Sequence, residues 1–380
     1  MRPSRHARAF ACVLLAIASA CGPVEVRPAP ASAAGAADAT HPPASTAAPS
    51  PAATAAPTPS SAAAPMPFSK LRVFVASERS DALVVLEGGA EFVEVGRIAV
   101  GRFPHNVAVS PDGRWVAAAN RLANSISIVD PLEMREVARV RVGRQPHDLI
   151  WSPDAATLFV GHERDSYIAR VEAGTWKLLP PLVVGVPQHD LAIARSRPTE
   201  LYFAVTNSQE WDHLRMWDLT TGKVTRITVQ DVHDVFFTPD EREIWTTSSG
   251  FIEHASDRMV ATDPATKAML TQFHLPGRYP FHTMKRHRDG MFYPPEGTPM
   301  LLTDHVGPAL LFVDPVQRRI VGETKVGAQP FHTTYDPIRL RLLVTSNAAD
   351  VVSVIDLATR EVVQRVAVPA PHGIVAIGLP

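Results

Sequence analysis

The sequence predicts an all-β fold, a seven-bladed β-propeller in which strands from the two ends of the chain pair to close the ring. A unit of 40 to 50 residues recurs along the chain, and a period in this range is typical of propellers and other repeat arrays. Each unit contains short runs rich in β-branched residues, which indicate strands. Every unit also carries one histidine: His105, His147, His189, His233, His282, His332 and His372.

The first complete unit shows the predicted composition of one blade. A Pro111-Asp112-Gly113 turn follows its first strand, and proline before Asp-Gly is a common turn sequence. Four short strands in about forty residues correspond to one propeller blade. The predicted strands are Asn106–Ser110, Trp115–Ala119, Ser125–Val129 and Glu136–Val142.

The next five units follow the same order, each beginning at its histidine. The fifth also contains an insertion over Lys285–Pro299. Beyond the histidine-bearing first strands, the predicted strands are Thr157–Val160, Tyr167–Val171, Leu178–Val184, Leu201–Thr206, Leu214–Asp218, Lys223–Val229, Glu243–Thr247, Arg258–Thr262, Ala268–His274, Met300–Thr303, Leu310–Val313, Leu342–Thr345, Val351–Ile355 and Val362–Val368.

The two ends of the repeat region complete each other. Three strands, Arg72–Ser77, Ala82–Leu86 and Phe92–Val100, precede the first full unit and lack a first strand. A lone first strand, Pro371–Ile377, follows the last full unit. Pairing these segments yields a seventh blade and removes the open edges of a linear array.

Several segments resemble the YVTN-type repeat of YncE-like β-propellers. They are Phe203–Asn207, Ser125–Asp130, Val142–Pro146 and Val351–Asp356. The resemblance covers essentially everything after residue 67. It implies the propeller fold but no single activity, because such propellers include binding proteins, cell-surface proteins and enzymes.

Composition narrows the function classes. The chain has 380 residues and a formal net charge of -1, so no electrostatic argument favours nucleic-acid binding. Its two cysteines, Cys12 and Cys21, both lie near the N-terminus. Neither a disulfide framework nor a thiolate metal site is therefore expected in the repeat region.

The N-terminus predicts export. Arginines precede an apolar run over residues 9–20, which indicates a signal peptide over residues 1–20. Residues 21–67 are nearly all Ala, Pro, Ser and Thr and predict a disordered linker, followed by the propeller over residues 68–380. Small residues before Cys21 resemble a bacterial lipoprotein signal. This resemblance implies acylation of Cys21, a membrane anchor and an outer-membrane location facing the periplasm or the cell surface, while ordinary signal-peptidase cleavage remains the alternative.

The repeat histidines suggest a metal or metal-cofactor site. The first strand of a blade lines the central channel, so seven equivalent positions would place seven imidazoles at one mouth of the channel. Neutral imidazole is a common ligand for zinc, copper and iron. The predicted metal ligands are His105, His147, His189, His233, His282, His332 and His372.

A second polar circle is expected where the second strands end at the same mouth. Asp148, Asp190 and Asp234 directly follow repeat histidines and could accept the other imidazole N–H. The expected circle is Glu78, Asn120, His162, Asn207, Ser249, His305 and Asn347. Crowded imidazoles titrate as a coupled set, so most of them should be neutral at pH 7.

Four functions fit this pattern. Binding of a metal or metal cofactor is preferred, because the sequence contains no recognisable catalytic motif and assigns no catalytic residue. A copper- or iron-dependent oxidoreductase is the main alternative, since nitrous oxide reductase similarly binds copper through histidines of a seven-bladed propeller. The other two are a protein-interaction scaffold with structural histidines and a lactonase-type hydrolase.

Overall fold

The computed structural model describes residues 68–205, 213–238, 240–248, 257–282, 294–295, 297–305 and 307–379. The predicted signal peptide, Cys21, the linker and most of the Lys285–Pro299 insertion lie outside these residues. The described residues contain no helix long and apolar enough to cross a membrane.

The described residues form 28 strands and one 3-10 turn, Asn347–Ala349. In chain order the strands are β1 (Lys70–Ser77), β2 (Ala82–Gly88), β3 (Phe92–Ala99), β4 (Pro104–Val109), β5 (Val116–Asn120), β6 (Ser125–Asp130), β7 (Arg135–Arg141), β8 (Pro146–Trp151), β9 (Thr157–His162), β10 (Tyr167–Glu172), β11 (Leu178–Val183), β12 (Gln188–Ala194), β13 (Arg197–Val205), β14 (His213–Asp218), β15 (Val224–Gln230), β16 (Val232–Phe237), β17 (Ile244–Ser248), β18 (Arg258–Thr262), β19 (Met269–His274), β20 (Pro280–His282), β21 (Met300–Asp304), β22 (Ala309–Asp314), β23 (Arg319–Lys325), β24 (Pro330–Asp336), β25 (Arg341–Ser346), β26 (Val351–Asp356), β27 (Val362–Ala367) and β28 (Pro371–Leu379).

These strands form seven four-stranded antiparallel sheets, which confirms the predicted seven-bladed propeller. Blades 1 to 6 are consecutive groups of four strands from β4 to β27. Blade 7 has the order β28-β1-β2-β3, so the ring closes as predicted. The closing pair runs from Lys70 opposite Leu379 to Ser77 opposite Pro371, with one register shift between Val75 and Ser77.

The hydrophobic core lies between neighbouring blades. Alternating side chains of each sheet pack against the next sheet, as expected for stacked sheets with apolar faces. Phe74 of blade 7 packs in one cluster with Val116 of blade 1, while Val73 packs on the other side with Leu343 of blade 6. The first strands of successive blades also contact one another around the ring. They therefore line the centre, where the repeat histidines begin.

Candidate functional site

The chain enters most of the first strands through a left-handed residue. A non-glycine residue rarely adopts a positive φ, so its recurrence marks a shared turn geometry at this point of the repeat. The first strands begin at one end of the ring, which is here called the channel mouth. The φ angles lie between 43° and 58° for Phe103, Gln145, Asp231, Gln329 and Ala370.

Strand register shows that five of the seven histidines are structurally equivalent. In blade 1, Pro104 pairs with the end of β5 and His105 follows it. In blade 6, Pro330 holds the same register position, so Phe331 is the equivalent of His105 and His332 lies one residue later. His282 is likewise two residues after the paired Pro280 of blade 5. The expectation of seven equivalent histidines is therefore wrong for blades 5 and 6.

The five equivalent histidines form a continuous series of ring contacts, which we call the imidazole arc: His372, His105, His147, His189 and His233. Their successive ring centroids are 3.6, 4.6, 4.0 and 3.9 Å apart. The Nε2 atoms of His105 and His147 are 3.0 Å apart. The repeat thus brings imidazoles from five consecutive blades into direct contact.

Beside the arc, His332 contacts His372, with 5.1 Å between the ring centroids. The backbone of His282 lies in β20, and its side chain falls outside the described residues. Each repeat histidine thus lies near the start of a channel strand, and the five of the arc hold equivalent positions.

Three carboxylates approach the imidazole arc. Glu78 Oε1 lies 2.6 Å from His105 Nδ1, and Asp234 Oδ1 lies 3.0 Å from His233 Nδ1. Glu163 Oε1 lies 3.6 Å from His147 Nε2. Three sets, each of two histidines and one carboxylate, have their ligand atoms within 4.8 Å of one another: Glu78 with His105 and His372, Glu163 with His147 and His189, and Asp234 with His189 and His233.

The second polar circle lies one residue later than the sequence suggested in two blades. His162 pairs with Pro146 inside the sheet, so the following residue, Glu163, reaches the mouth. In blade 1 Arg121 likewise follows the paired Asn120. Arg121 and Glu163 were not predicted from the sequence, although each directly follows the paired last residue of a second strand. With Glu78, His305 and Asn347, they form the described part of the circle; Asn207 and Ser249 lie outside the described residues.

His162 has a role within its own blade. Its Nε2 accepts a hydrogen bond from the N–H of Gly143 at 3.0 Å, and its Nδ1 donates to the carbonyl oxygen of Tyr167 at 3.0 Å. The expected role of His162 at the mouth therefore does not fit the structure, because both ring nitrogens are engaged by backbone groups.

Asp148 and Asp190 connect neighbouring blades. Asp148 Oδ2 accepts the N–H of Leu191 at 2.8 Å, and Asp190 Oδ2 accepts the N–H of Val235 at 2.9 Å. Each bond runs from one first strand to the next, so these carboxylates hold the inner strands in alignment. Orientation of imidazoles by Asp148 and Asp190 stays a prediction, whereas Asp234 does contact His233.

Burial determines the protonation of the arc. It lowers the pKa of His105, His147, His189 and His372 well below the ordinary value, and neighbouring imidazoles lower it further. Burial also opposes charging of His233, but Asp234 outweighs it and raises that pKa. Most of the arc is therefore neutral at pH 7.

The acidic side of the mouth contains one unusual carboxyl group and one cation. Burial raises the pKa of Glu78 to about 7, although Asn347 donates a hydrogen bond to it at 2.9 Å. Arg121 pairs with Glu163, its Nε lying 2.9 Å from Oε2. Glu163 Oε1 remains directed toward His147. Arg121 thus orients one carboxylate of the site.

The opposite side of the mouth is aromatic. Phe331 lies 4.1 Å from His372 and 4.7 Å from His305 between ring centroids, and Tyr279 lies 5.7 Å from His305. Burial lowers the pKa of His305 to about 4, so this imidazole is also neutral at pH 7. The described mouth therefore combines an imidazole and carboxylate side with an aromatic side.

Comparison with known proteins supports the same architecture. Residues 27–176 match the family described as YNCE-like beta-propeller. No curated protein matches the sequence. Among solved structures, hydrazine synthase of Kuenenia stuttgartiensis is 16% identical with a TM-score of 0.64, covering 74% of this chain and 91% of that one.

Two further solved structures have similar TM-scores. The periplasmic gluconolactonase PpgL of Pseudomonas aeruginosa is 16% identical with a TM-score of 0.63, covering 82% of this chain and 100% of that one. Apo AztD of Citrobacter koseri is 12% identical with a TM-score of 0.59, covering 81% and 98%. These similarities establish the fold alone. Together with the seven observed blades, they show that the chain is a seven-bladed β-propeller, and its sequence matches the YNCE-like family over residues 27–176.

Proposed function

We propose that this propeller binds a divalent transition-metal ion at the channel mouth. The observation that carries the proposal is the set of three groups, each of two imidazoles and one carboxylate, with ligand atoms within 4.8 Å of one another. Nitrogen and oxygen donors in this combination suit zinc, copper, nickel and iron. A bound metal ion would also interact favourably with the crowded, buried imidazoles.

The protonation state of the arc supports this proposal. A metal ion binds the neutral imidazole, and burial keeps most of these groups neutral at pH 7. Arg121 acts in the opposite direction by placing a positive charge near the site, but its pairing with Glu163 offsets that charge.

The proposed ligands divide into two regions. Glu78, His105 and His372 share no residue with the other two groups. The remaining two groups both contain His189, so they compete for that imidazole. His282 and His332, which lie one residue later along their strands, are left as supplementary ligands.

Elemental analysis tests the proposal directly. The protein is purified without a polyhistidine tag, treated with a chelator, and reconstituted separately with zinc, copper, nickel and iron. We expect stoichiometric retention of at least one metal by the native protein. Replacing both His147 and His189 with alanine should abolish retention by the two groups that contain them and leave the group of Glu78, His105 and His372 intact, whereas His274→Ala, on an exposed outer strand, should change retention by neither region.

Absence of stoichiometric metal under every condition would contradict the proposal and favour a scaffold with structural histidines. If metal is retained, visible absorption separates copper or iron from zinc. Reversible spectral change on reduction would favour the oxidoreductase alternative over a binding role.

A lactonase-type hydrolase is the second candidate function. It is favoured by Glu78, which lies 2.6 Å from His105 and whose pKa burial raises to about 7, because a carboxyl group that titrates near neutral pH can act as a general acid or base. Gluconolactone hydrolysis is measured with chelator-treated and metal-loaded protein. Loss of hydrolysis in Glu78→Gln with unchanged folding supports this candidate, and no hydrolysis by the native protein eliminates it.

We also propose that the propeller is exported and held at a membrane by a lipid on Cys21. The apolar run, the small residues before Cys21 and the Ala/Pro-rich segment support this location. Native protein is expected in the membrane fraction, and Cys21→Ser protein in the soluble fraction. Equal distribution of the two proteins contradicts the anchor.

A further inference from the structure

A second candidate site lies at the end of the ring opposite the channel mouth. Its cavity has a volume of about 970 Å³ and is lined by the turns that follow the first strands of blades 2, 3 and 4. Those strands have six or seven residues, so the cavity lies about 20 Å from the imidazole arc. It is therefore separate from the proposed metal site.

The carboxylates of this cavity are already used by the turns. Both oxygens of Glu241 accept backbone N–H groups across a blade boundary, from Arg195 at 3.1 Å and Ser196 at 2.9 Å. Asp154 and Asp240 each accept a hydroxyl group and a backbone N–H within their own turns. These acidic groups hold the walls of the cavity in place.

The two arginines of the cavity retain donor capacity. Arg170 projects from β10, and its buried Nε has no hydrogen-bond partner among the described residues. Its Nη1 makes one long contact, 3.4 Å, with the carbonyl oxygen of Pro180. Arg195 is exposed on the β12–β13 turn, and its guanidinium makes no hydrogen bond or ion pair within the described structure. The guanidinium groups of Arg170 and Arg195 are thus positively charged and can donate further hydrogen bonds.

Apolar side chains complete the lining. Phe159, Leu182 and Leu219 contribute carbon surface beside the arginines. A cavity of this volume is in the range that accommodates small organic molecules. Guanidinium groups bind carboxylate and phosphate oxygens with paired hydrogen bonds. We propose that this cavity binds a small organic anion, whose carboxylate or phosphate group is held by Arg170 and Arg195 while its carbon body lies on the apolar lining.

Calorimetry and thermal melting with chelator-treated protein test this proposal. The probes are 6-phosphogluconate, gluconate and inorganic phosphate at millimolar concentration, with glucose as the uncharged control. We expect at least one organic anion to bind and raise the melting temperature, and glucose to do neither. Comparison of gluconate with 6-phosphogluconate distinguishes recognition of carboxylate from recognition of phosphate.

Matched variants localise the binding. Arg195→Ala should weaken binding of the anion about tenfold or more, because a charge-assisted pair is lost. Arg141→Ala, an exposed arginine on the outer strand β7, should leave the affinity unchanged. Arg195 is exposed, so Arg195→Ala is expected to fold. It therefore tests the proposal even if a second variant, Arg170→Gln, fails to fold. The proposal is overturned if none of the anions binds, or if binding is unchanged in Arg195→Ala.

Discussion

Replacing Gly373 with alanine tests how closely the first strands of blades 7 and 1 must approach. A Cβ atom at Gly373 would lie 2.8 Å from the carbonyl oxygen of His105, 2.8 Å from the nitrogen of Val107 and 2.9 Å from Cα of Asn106. All three are backbone atoms of β4, so no flexible side chain can move aside. The two strands would have to separate by about half an ångström to reach ordinary van der Waals distance.

The expected cost is that of overpacking a core. Inserting a methyl group into such a contact destabilises a protein by about 1–3 kcal/mol. The same separation would disturb the stack of His105 on His372, whose centroids are only 3.6 Å apart. Gly373→Ala should therefore lower both the stability of the propeller and its affinity for metal.

Urea unfolding measured by circular dichroism gives the change in stability, and metal titration gives the change in affinity. Gly89→Ala is the matched control, since its nearest neighbour would be 3.6 Å away and its φ is not positive. It should change the free energy of unfolding little. Equal stability of Gly373→Ala and the native protein would refute the argument that this approach is tight.

Three further predictions concern the polar groups of the inner strands. Asp148→Ala removes the acceptor of the Leu191 N–H and should cost about 1.5–3 kcal/mol in urea unfolding, with a smaller loss for Asp148→Asn, which keeps an acceptor. His162→Leu leaves the Gly143 N–H without its partner and should lower the free energy of unfolding by about 1–3 kcal/mol. The exposed variant His274→Leu is the control, and a smaller fall in melting temperature for His162→Leu than for His274→Leu would contradict this prediction. Burial lowers the pKa of His305 to about 4 from the ordinary 6.5, so the folded protein disfavours the protonated imidazole. The resulting contribution to the free energy of unfolding, up to about 3 kcal/mol, is complete above pH 6.5 and is lost as the pH falls toward 4. Chelator-treated His305→Gln should therefore lose less stability than the native protein between pH 7 and pH 4, and identical pH profiles would show that His305 does not contribute.

The number of blades and the closure of the ring could be predicted because both depend on a long-range pattern. The sequence predicts seven first strands. Three strands without a first strand precede them, and the last first strand has no strands after it to complete its blade. These numbers define one closed arrangement. Individual strand ends could shift by a residue or two without changing that count. The structure accordingly agrees with most predicted strands within such shifts, for example Val116–Asn120 against the predicted Trp115–Ala119.

The site was predicted less completely, because a one-residue error in a strand moves a side chain to the other face. Aligning the repeats on histidine placed His332 in the ring, whereas backbone pairing assigns that position to Phe331. The same kind of offset selected His162 in place of Glu163. Hydrogen-bond register between strands decides these positions, and residue identity alone does not determine that register.

The pairing of β28 with β1 also has a consequence for the order of events during folding. Among the described strands β28 is made last and β1 first, so blade 7 lacks its innermost strand until synthesis has passed residue 371. Until then β1 presents an unpaired edge that can join another chain. The same strand supplies His372, which completes the imidazole arc. A metal ion that requires His372 would therefore bind only to a ring that has already closed, and occupancy would report complete assembly of the propeller.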